Sequence, residues 1–305
     1  MTLTTPPRPL DVEALFPGLA AHRATATRLH PRAGRPTARD SHVGGPLLWP
    51  ADEPWPVCDE PHRHGGPLLA VAQLYARDVP DLAAGPDGCD LLQVLWCPFD
   101  LHGPTGHGMH VRLRWRPSAE VREVLAPQPA PARVGFDGYL PNPCVLHPEQ
   151  VTEYPYIESL TGELGERVEE WEDAQEEAAY EAECEQGYEV ECEDGHGAGG
   201  GPPPALPSYQ CDLSVAPGWK AGGHAAWNVT GPGSTDCPGC GRGMRLLLTV
   251  DSYEWRSDTE SWRPLPTAAG ADADRPTGVA VANFGKLNIF ACPHDPAHPH
   301  RFSLQ

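Results

Sequence analysis

Four residues in the last quarter of the chain have the types and spacing to hold a metal ion. Cys237-Pro-Gly-Cys240 is a Cys-x2-Cys knuckle followed by Gly241. Two thiolates at this spacing grip one tetrahedral ion, and the amides of the turn stabilise their charge. Cys292 supplies a third thiolate. The run CPHDPAHPH that it opens offers His294, His298 and His300 for the fourth position. His298 is preferred, because a five-residue gap lets the loop turn back onto the ion. A Cys3His set of Cys237, Cys240, Cys292 and His298 leaves no open position. It therefore predicts a structural zinc that ties a hairpin to a strand end.

A fainter set lies upstream. Cys58-Asp-Glu-Pro-His62 stands where the knuckle would be, Cys97 stands for Cys292, and His102 stands for His298. These four form a Cys2His2 group, with His64, His107 and His110 as rival donors. Catalytic signatures are missing: there is no G-x-S-x-G, no HExxH, no P-loop and no GxGxxG after a strand. An enzyme would have to use Asp100, or leave the Cys58–His62 site water-filled. Cys97 with His102 as thiol and base has nothing to orient the pair.

Donors this far apart must be brought together by strands. Pro67–Tyr75 and Leu91–Cys97 are short continuous apolar runs, the pattern of strands buried on both faces. Met109–Arg116 alternates apolar with basic residues, as a half-buried strand does. Val121–Ala126, Arg245–Asp251, Gly278–Asn283, Lys286–Cys292 and Arg301–Leu304 also read as strands. Ile157–Glu185 reads as a long helix with Leu164, Val168, Trp171, Ala174 and Ala178 along one stripe. A Gly- and Pro-rich linker follows it. Residues 1–40 read as a mildly basic surface arm.

Of the 305 residues, 42 are Asp or Glu and 22 are Lys or Arg, a formal charge of −20. Such a charge disfavours nucleic acid as a partner. Between Glu163 and Asp194 there are 15 acidic residues and one Arg, so −14 of the total belongs to one segment. No apolar run approaches the roughly 18–20 residues that span a bilayer, and the N-terminus has no signal-peptide core. A cytoplasmic protein with no membrane partner is expected, and its 10 Cys are expected as thiols or metal ligands.

The two halves share landmarks in the same order. Gly44-Gly45-Pro-Leu-Leu-Trp49 matches Gly222-Gly223-His-Ala-Ala-Trp227. Cys58 matches Cys237, Leu69–Tyr75 matches Leu246–Ser252, and Cys97-Pro-Phe-Asp100 matches Cys292-Pro-His-Asp295. The expected fold is α+β and predominantly β: a β-rich unit duplicated, with one long acidic helix between the copies. The divisions are 1–40 arm, 41–156 first unit, 157–207 helix and linker, and 208–305 second unit.

These landmarks resemble the YwqG-like bacterial proteins, on Gly44-Gly45-Pro46, Trp49-Pro50 with Trp55-Pro56, Leu69-Ala-Val-Ala-Gln73 and Leu91-Leu92-Gln93. The second unit also resembles the eukaryotic programmed-cell-death-protein-2 group, on Gly222-Gly223, Trp227, Cys237, Cys240, Leu246–Leu248 and Phe290-Ala-Cys292. That group is similar to dedicated chaperones of a small-subunit ribosomal protein, so the resemblance implies a basic, ribosomal client. The acidic segment lies outside the shared pattern. A non-enzymatic, zinc-stabilised protein- or peptide-binding module with chaperone-like behaviour is the leading expectation. A zinc-dependent hydrolase and a structural subunit of a larger complex are the alternatives.

Overall fold

The computed structural model describes residues 3–58, 66–83, 85–100, 102, 108–190, 206–267 and 272–305. In chain order the elements are α1 (Val12–Leu15), β1 (Ala24–Arg28), β2 (Arg32–Ala33), β3 (His42–Val43), β4 (Leu69–Tyr75), β5 (Leu91–Trp96) and β6 (Val111–Arg116). Then come β7 (Cys144–Val145), β8 (Glu149–Glu153), α2 (Gly162–Val190), β9 (Lys220–Gly222), β10 (Arg245–Asp251), β11 (Lys286–Ala291) and β12 (Arg301–Leu304). The strands form two six-stranded antiparallel sheets, ordered β2-β7-β3-β4-β5-β6 and β12-β11-β10-β9-β1-β8. The protein is thus mixed α and β, and β-rich. Among the described residues no helix is long and apolar enough to cross a membrane.

The apolar runs become the central strands because both of their faces are covered. Leu92, Val94 and Trp96 of β5 join Leu248, Val250, Leu287 and Ile289 of the other sheet in one shared core. The opposite face of β5 places Leu95 against Leu47, Trp49, Cys58 and Leu68. On the second sheet, Phe290 stacks on Trp227 with ring centroids 5.8 Å apart. All six residues of β5 are buried, and each large apolar side chain buried this way contributes about 1.5–3 kcal/mol. Both β4 and β10 carry a register shift near their starts, between Ala70 and Ala72 and between Leu246 and Leu248.

The first 40 residues are not a surface arm. Ala24–Arg28 is an interior strand of the second sheet, paired to β8 on one side and β9 on the other. Its sequence, Ala-Thr-Ala-Thr-Arg, has no apolar alternation, and its fit rests on polar partners instead. Thr25 and Thr27 both donate to Asp81, at 2.5 and 2.7 Å. The fully buried Arg28 donates to the Thr5 hydroxyl and the Trp262 carbonyl.

Other expectations need correction. Ile157–Ser159 is a separate 3-10 turn, and the α-helix begins at Gly162. Leu164, Val168 and Trp171 pack on Phe16, Leu19, Tyr154, Tyr209 and Leu213, but Ala174 and Ala178 are exposed, because the helix leaves the body after three turns. Val121–Ala126 forms only one isolated bridge, Pro50 to Val124. Gly278–Asn283 is not a strand: Ala282, Asn283 and Phe284 follow one another at positive φ, which ends any extended run.

Candidate metal centre

The knuckle sits on a hairpin that leads into β10. Cys237 N–H donates to the Arg242 carbonyl and Gly241 N–H to the Cys237 carbonyl, each at 2.8 Å, while Asp236 and Gly243 form a bridge. Because Arg245 pairs with Ala291, the end of β11 lies beside the hairpin, and Cys292 follows at once. The chain then turns at Asp295, whose side chain accepts from Ala297 N–H at 2.8 Å and whose carbonyl accepts from His298 N–H at 3.1 Å. This turn returns His298 to the knuckle. Gly239 permits the approach, since a Cβ there would lie 2.7 Å from the His298 ring. Arg301, opening β12, donates to the Asp236 carbonyl and closes the assembly.

One donor atom from each of Cys237, Cys240, Cys292 and His298 lies within 4.8 Å of every other. Cys240 Sγ and Cys292 Sγ are 3.7 Å apart, and Cys237 Sγ is 3.4 Å from His298 Nδ1. A tetrahedral ion with Zn–S near 2.3 Å and Zn–N near 2.05 Å would set these separations at about 3.8 and about 3.6 Å. Both of these separations match those around a zinc-sized ion.

The thiolate form needed for ligation is favoured at Cys292, whereas at Cys240 the Arg242 amide is outweighed by desolvation and the neighbouring Cys292 and Cys237 sulfurs, which raise the thiol. Burial raises the Cys292 thiol, but hydrogen bonds from His298, the His294 and Asp295 amides and Cys237 outweigh it and bring its pKa down to about 6. Gly239 N–H points at Cys237 Sγ from 3.3 Å. With Nδ1 of His298 facing the sulfurs, Nε2 lies 3.4 Å from Asp295 Oδ2, the outer carboxylate that fixes a ligating imidazole. Asp295 was not singled out as part of the site from sequence. Its signal was the Cys-Pro-x-Asp tetrapeptide, which places a carboxylate three residues before His298. The other two histidines of the run lie elsewhere: His294 faces Arg242, and His300 lies against the main chain of Val111.

The upstream set converges in part. Cys58, Cys97 and His102 place their donor atoms within 4.8 Å of one another, and all three are buried. Cys58 Sγ is 4.0 Å from His102 Nε2. Cys58 is held by its bond to the Gly66 carbonyl, Cys97 by its bond to the His110 carbonyl, and His102 by a bridge to Gly108. His62, and the rivals His64 and His107, lie outside the described residues. The His110 ring stands 5.5 Å from that of His102.

Sequence reading missed the buried polar pairs beneath each centre. Gln73 and Gln93 face one another across β4 and β5, and Gln93 donates to the Leu48 carbonyl at 3.1 Å. Thr249 and Asn288 face one another across β10 and β11, and Asn288 donates to the Ala226 carbonyl at 2.9 Å. Each accepting carbonyl belongs to the residue before a Trp of the Gly-Gly-x-x-x-Trp turns. A polar residue inside an apolar run is the signal that marks both pairs. In comparisons with known proteins, no family model matches the chain and no curated protein matches its sequence.

Proposed function

We propose that this protein is a non-catalytic, zinc-stabilised module of the YwqG-like kind that binds a protein or peptide, with chaperone-like behaviour toward a basic client. The observation that carries the reading is the convergence of Cys237, Cys240, Cys292 and His298 within 4.8 Å. Four protein donors complete a tetrahedral shell, so the ion holds a hairpin, two strand ends and a turn in place and presents no open position to a substrate. Three thiolates and an imidazole favour zinc over harder ions. A second ion would sit on Cys58, Cys97 and His102.

We read the chain as two copies of one β-rich unit. Support comes from the meanders β3-β4-β5-β6 and β9-β10-β11-β12, which share strand order, a register shift near the start of the second strand, and a buried polar pair across the second and third strands. The client reading rests on charge. Glu163, Glu166, Glu169, Glu170, Asp173, Glu176 and Glu177 are all exposed on α2, so the helix offers a dense acidic surface to a Lys- and Arg-rich segment. A reducing, cytoplasmic setting suits thiols gathered as ligands.

Metal analysis of the purified protein tests the first part. One to two zinc ions per chain are expected, and chelation should lower the melting temperature. Unchanged melting after chelation would refute the structural ion. Titration of a Lys/Arg-rich peptide tests the second part: binding should weaken with salt and with Glu→Gln changes at 163, 166, 169 and 170. Binding indifferent to both would remove the acidic surface from the mechanism.

A further inference from the structure

β6 reads Val-Arg-Leu-Arg-Trp-Arg and closes one side of the first sheet, paired to β5 alone among the described residues. Strand alternation turns Leu113 and Trp115 to the shared core and leaves Arg112, Arg114 and Arg116 on the other face. Cys97 N–H bonds the His110 carbonyl and Asp90 N–H bonds the Arg116 carbonyl, so the even-numbered positions face β5. The main-chain groups of Leu113 and Trp115 therefore point outward at the open edge. The His300 ring lies against the main chain of Val111, so the open stretch begins at Leu113.

Among the described residues the arginine face carries more positive than negative charge in an acidic protein. Arg116 and Arg114 share one carboxylate, Glu53, at 2.9 and 3.2 Å, and Arg112 has no ion pair among the described residues. Beside them lies a cavity of about 410 Å³ floored by Trp49, Trp55, Pro54, Pro56 and Val57. Its two indoles are fixed, since Trp49 Nε1 donates to the Glu53 carbonyl and Trp55 Nε1 to the Leu68 carbonyl. Arginines on an edge also discourage pairing between like copies. An acidic strand would meet the opposite, attractive arrangement.

We propose that β6 is a docking edge for an extended acidic peptide. The peptide adds as a further strand on the main chain of Leu113 and Trp115 and sets its carboxylates against Arg112 and Arg114. Same-face side chains recur about every 6.8 Å along a strand, so the ligand carries Glu or Asp at every second residue.

Fluorescence anisotropy with the full chain and a labelled Thr-Glu-Thr-Glu-Thr-Glu peptide tests this. The controls are a block isomer of the same composition, the same peptide N-methylated at alternate residues, and an oligothymidylate of equal charge. The alternating peptide should bind. The block isomer and the N-methylated peptide should each bind about tenfold more weakly. Arg112→Gln, a change at an exposed side chain, should weaken the alternating peptide by a similar factor, as should raising salt from about 50 to about 300 mM. Equal affinity for the two isomers, indifference to Arg112→Gln, no binding, or tighter binding of the oligothymidylate would each overturn the proposal. Retained affinity of the N-methylated peptide would reject strand addition.

Discussion

His42 and Lys220 occupy matching places in the two meanders, each two residues before a Gly-Gly pair. Each reaches the carbonyl four residues on: His42 Nε2 lies 3.0 Å from the Pro46 carbonyl, and Lys220 Nζ lies 2.7 Å from that of His224. The imidazole does this as a neutral group, because burial lowers its pKa to about 4. The buried ammonium needs a counter-charge, which Glu153 of β8 supplies through contacts of 2.6 Å to both carboxylate oxygens. Glu153 also accepts from the Ala216 and His224 amides, and a Cβ on Gly223 would collide with it. The turn thus requires one donor at this point, and the charged version requires an extra strand to hold its partner. The two centres differ as well: Cys58, Cys97 and His102 are all buried, whereas Cys240 is exposed.

The largest expected effect separates the centres. Cys292→Ser should strip the ion near the knuckle and lower the melting temperature by roughly 10–20 °C, since structural zinc contributes folding free energy directly. Cys97→Ser should cost less than half of that. Calorimetry paired with metal analysis checks both, and equal losses would erase the distinction. Next in size, Lys220→Met strands the Glu153 charge and should cost about 3–5 kcal/mol, whereas His42→Leu should cost about 1–2 kcal/mol. Urea denaturation gives the order, and the reverse order would break the comparison. Asn288→Leu leaves the Ala226 carbonyl and the Thr249 hydroxyl unpaired and should cost about 1–3 kcal/mol, and Gln93→Leu, which frees the Leu48 carbonyl and also takes the acceptor of Arg116 Nε, should cost at least as much. A cost for Gln93→Leu below that of Asn288→Leu would count against matching roles for the two pairs.

The smallest effects appear in the pH profile. Burial holds His30 and His42 at about 4, below the usual 6.5. The native state therefore binds fewer protons than the unfolded chain between those values. The stability they contribute is present above pH 6.5 and lost as pH falls through 4. Glu254 is the opposite case, raised by burial from 4.5 to about 7. Its contribution is present below pH 4.5 and lost as pH rises through 7. Glu254→Gln should gain on the natural chain by about 2–3 kcal/mol between pH 5 and pH 8. Denaturation midpoints at those two pH values provide the check, and a constant gap would show that Glu254 does not titrate there.

Strands buried on both faces announce themselves as apolar runs, so β4, β5, β10 and β11 could be read directly, and the Cys-x2-Cys knuckle marked its centre. β1 could not. Its two threonines gain their place from Asp81, 54 residues or more downstream, and Arg28 gains its place from Thr5 and Trp262. No local pattern encodes partners at such separations. The Glu153–Lys220 pair was hidden for the same reason. Gly278–Asn283 failed in the other direction: its valines are buried, but a left-handed turn held by Ser252 delivers them to the core without any strand.

The seating of β1 also sets a timetable for synthesis. Arg28 pairs with Glu149 and with Lys220, so its neighbours leave the ribosome about 120 and about 190 residues after it. At roughly 10 residues per second, β1 waits about 20 s for its second partner. The first sheet can close once β7 has been made, while the second stays open until the last residues appear. Until β9 emerges the nascent chain carries, near its N-terminus, a strand with at least one edge unpaired. A pause in translation between α2 and β9 prolongs exposure of that strand, and this is the stage at which the chain most needs protection from aggregation.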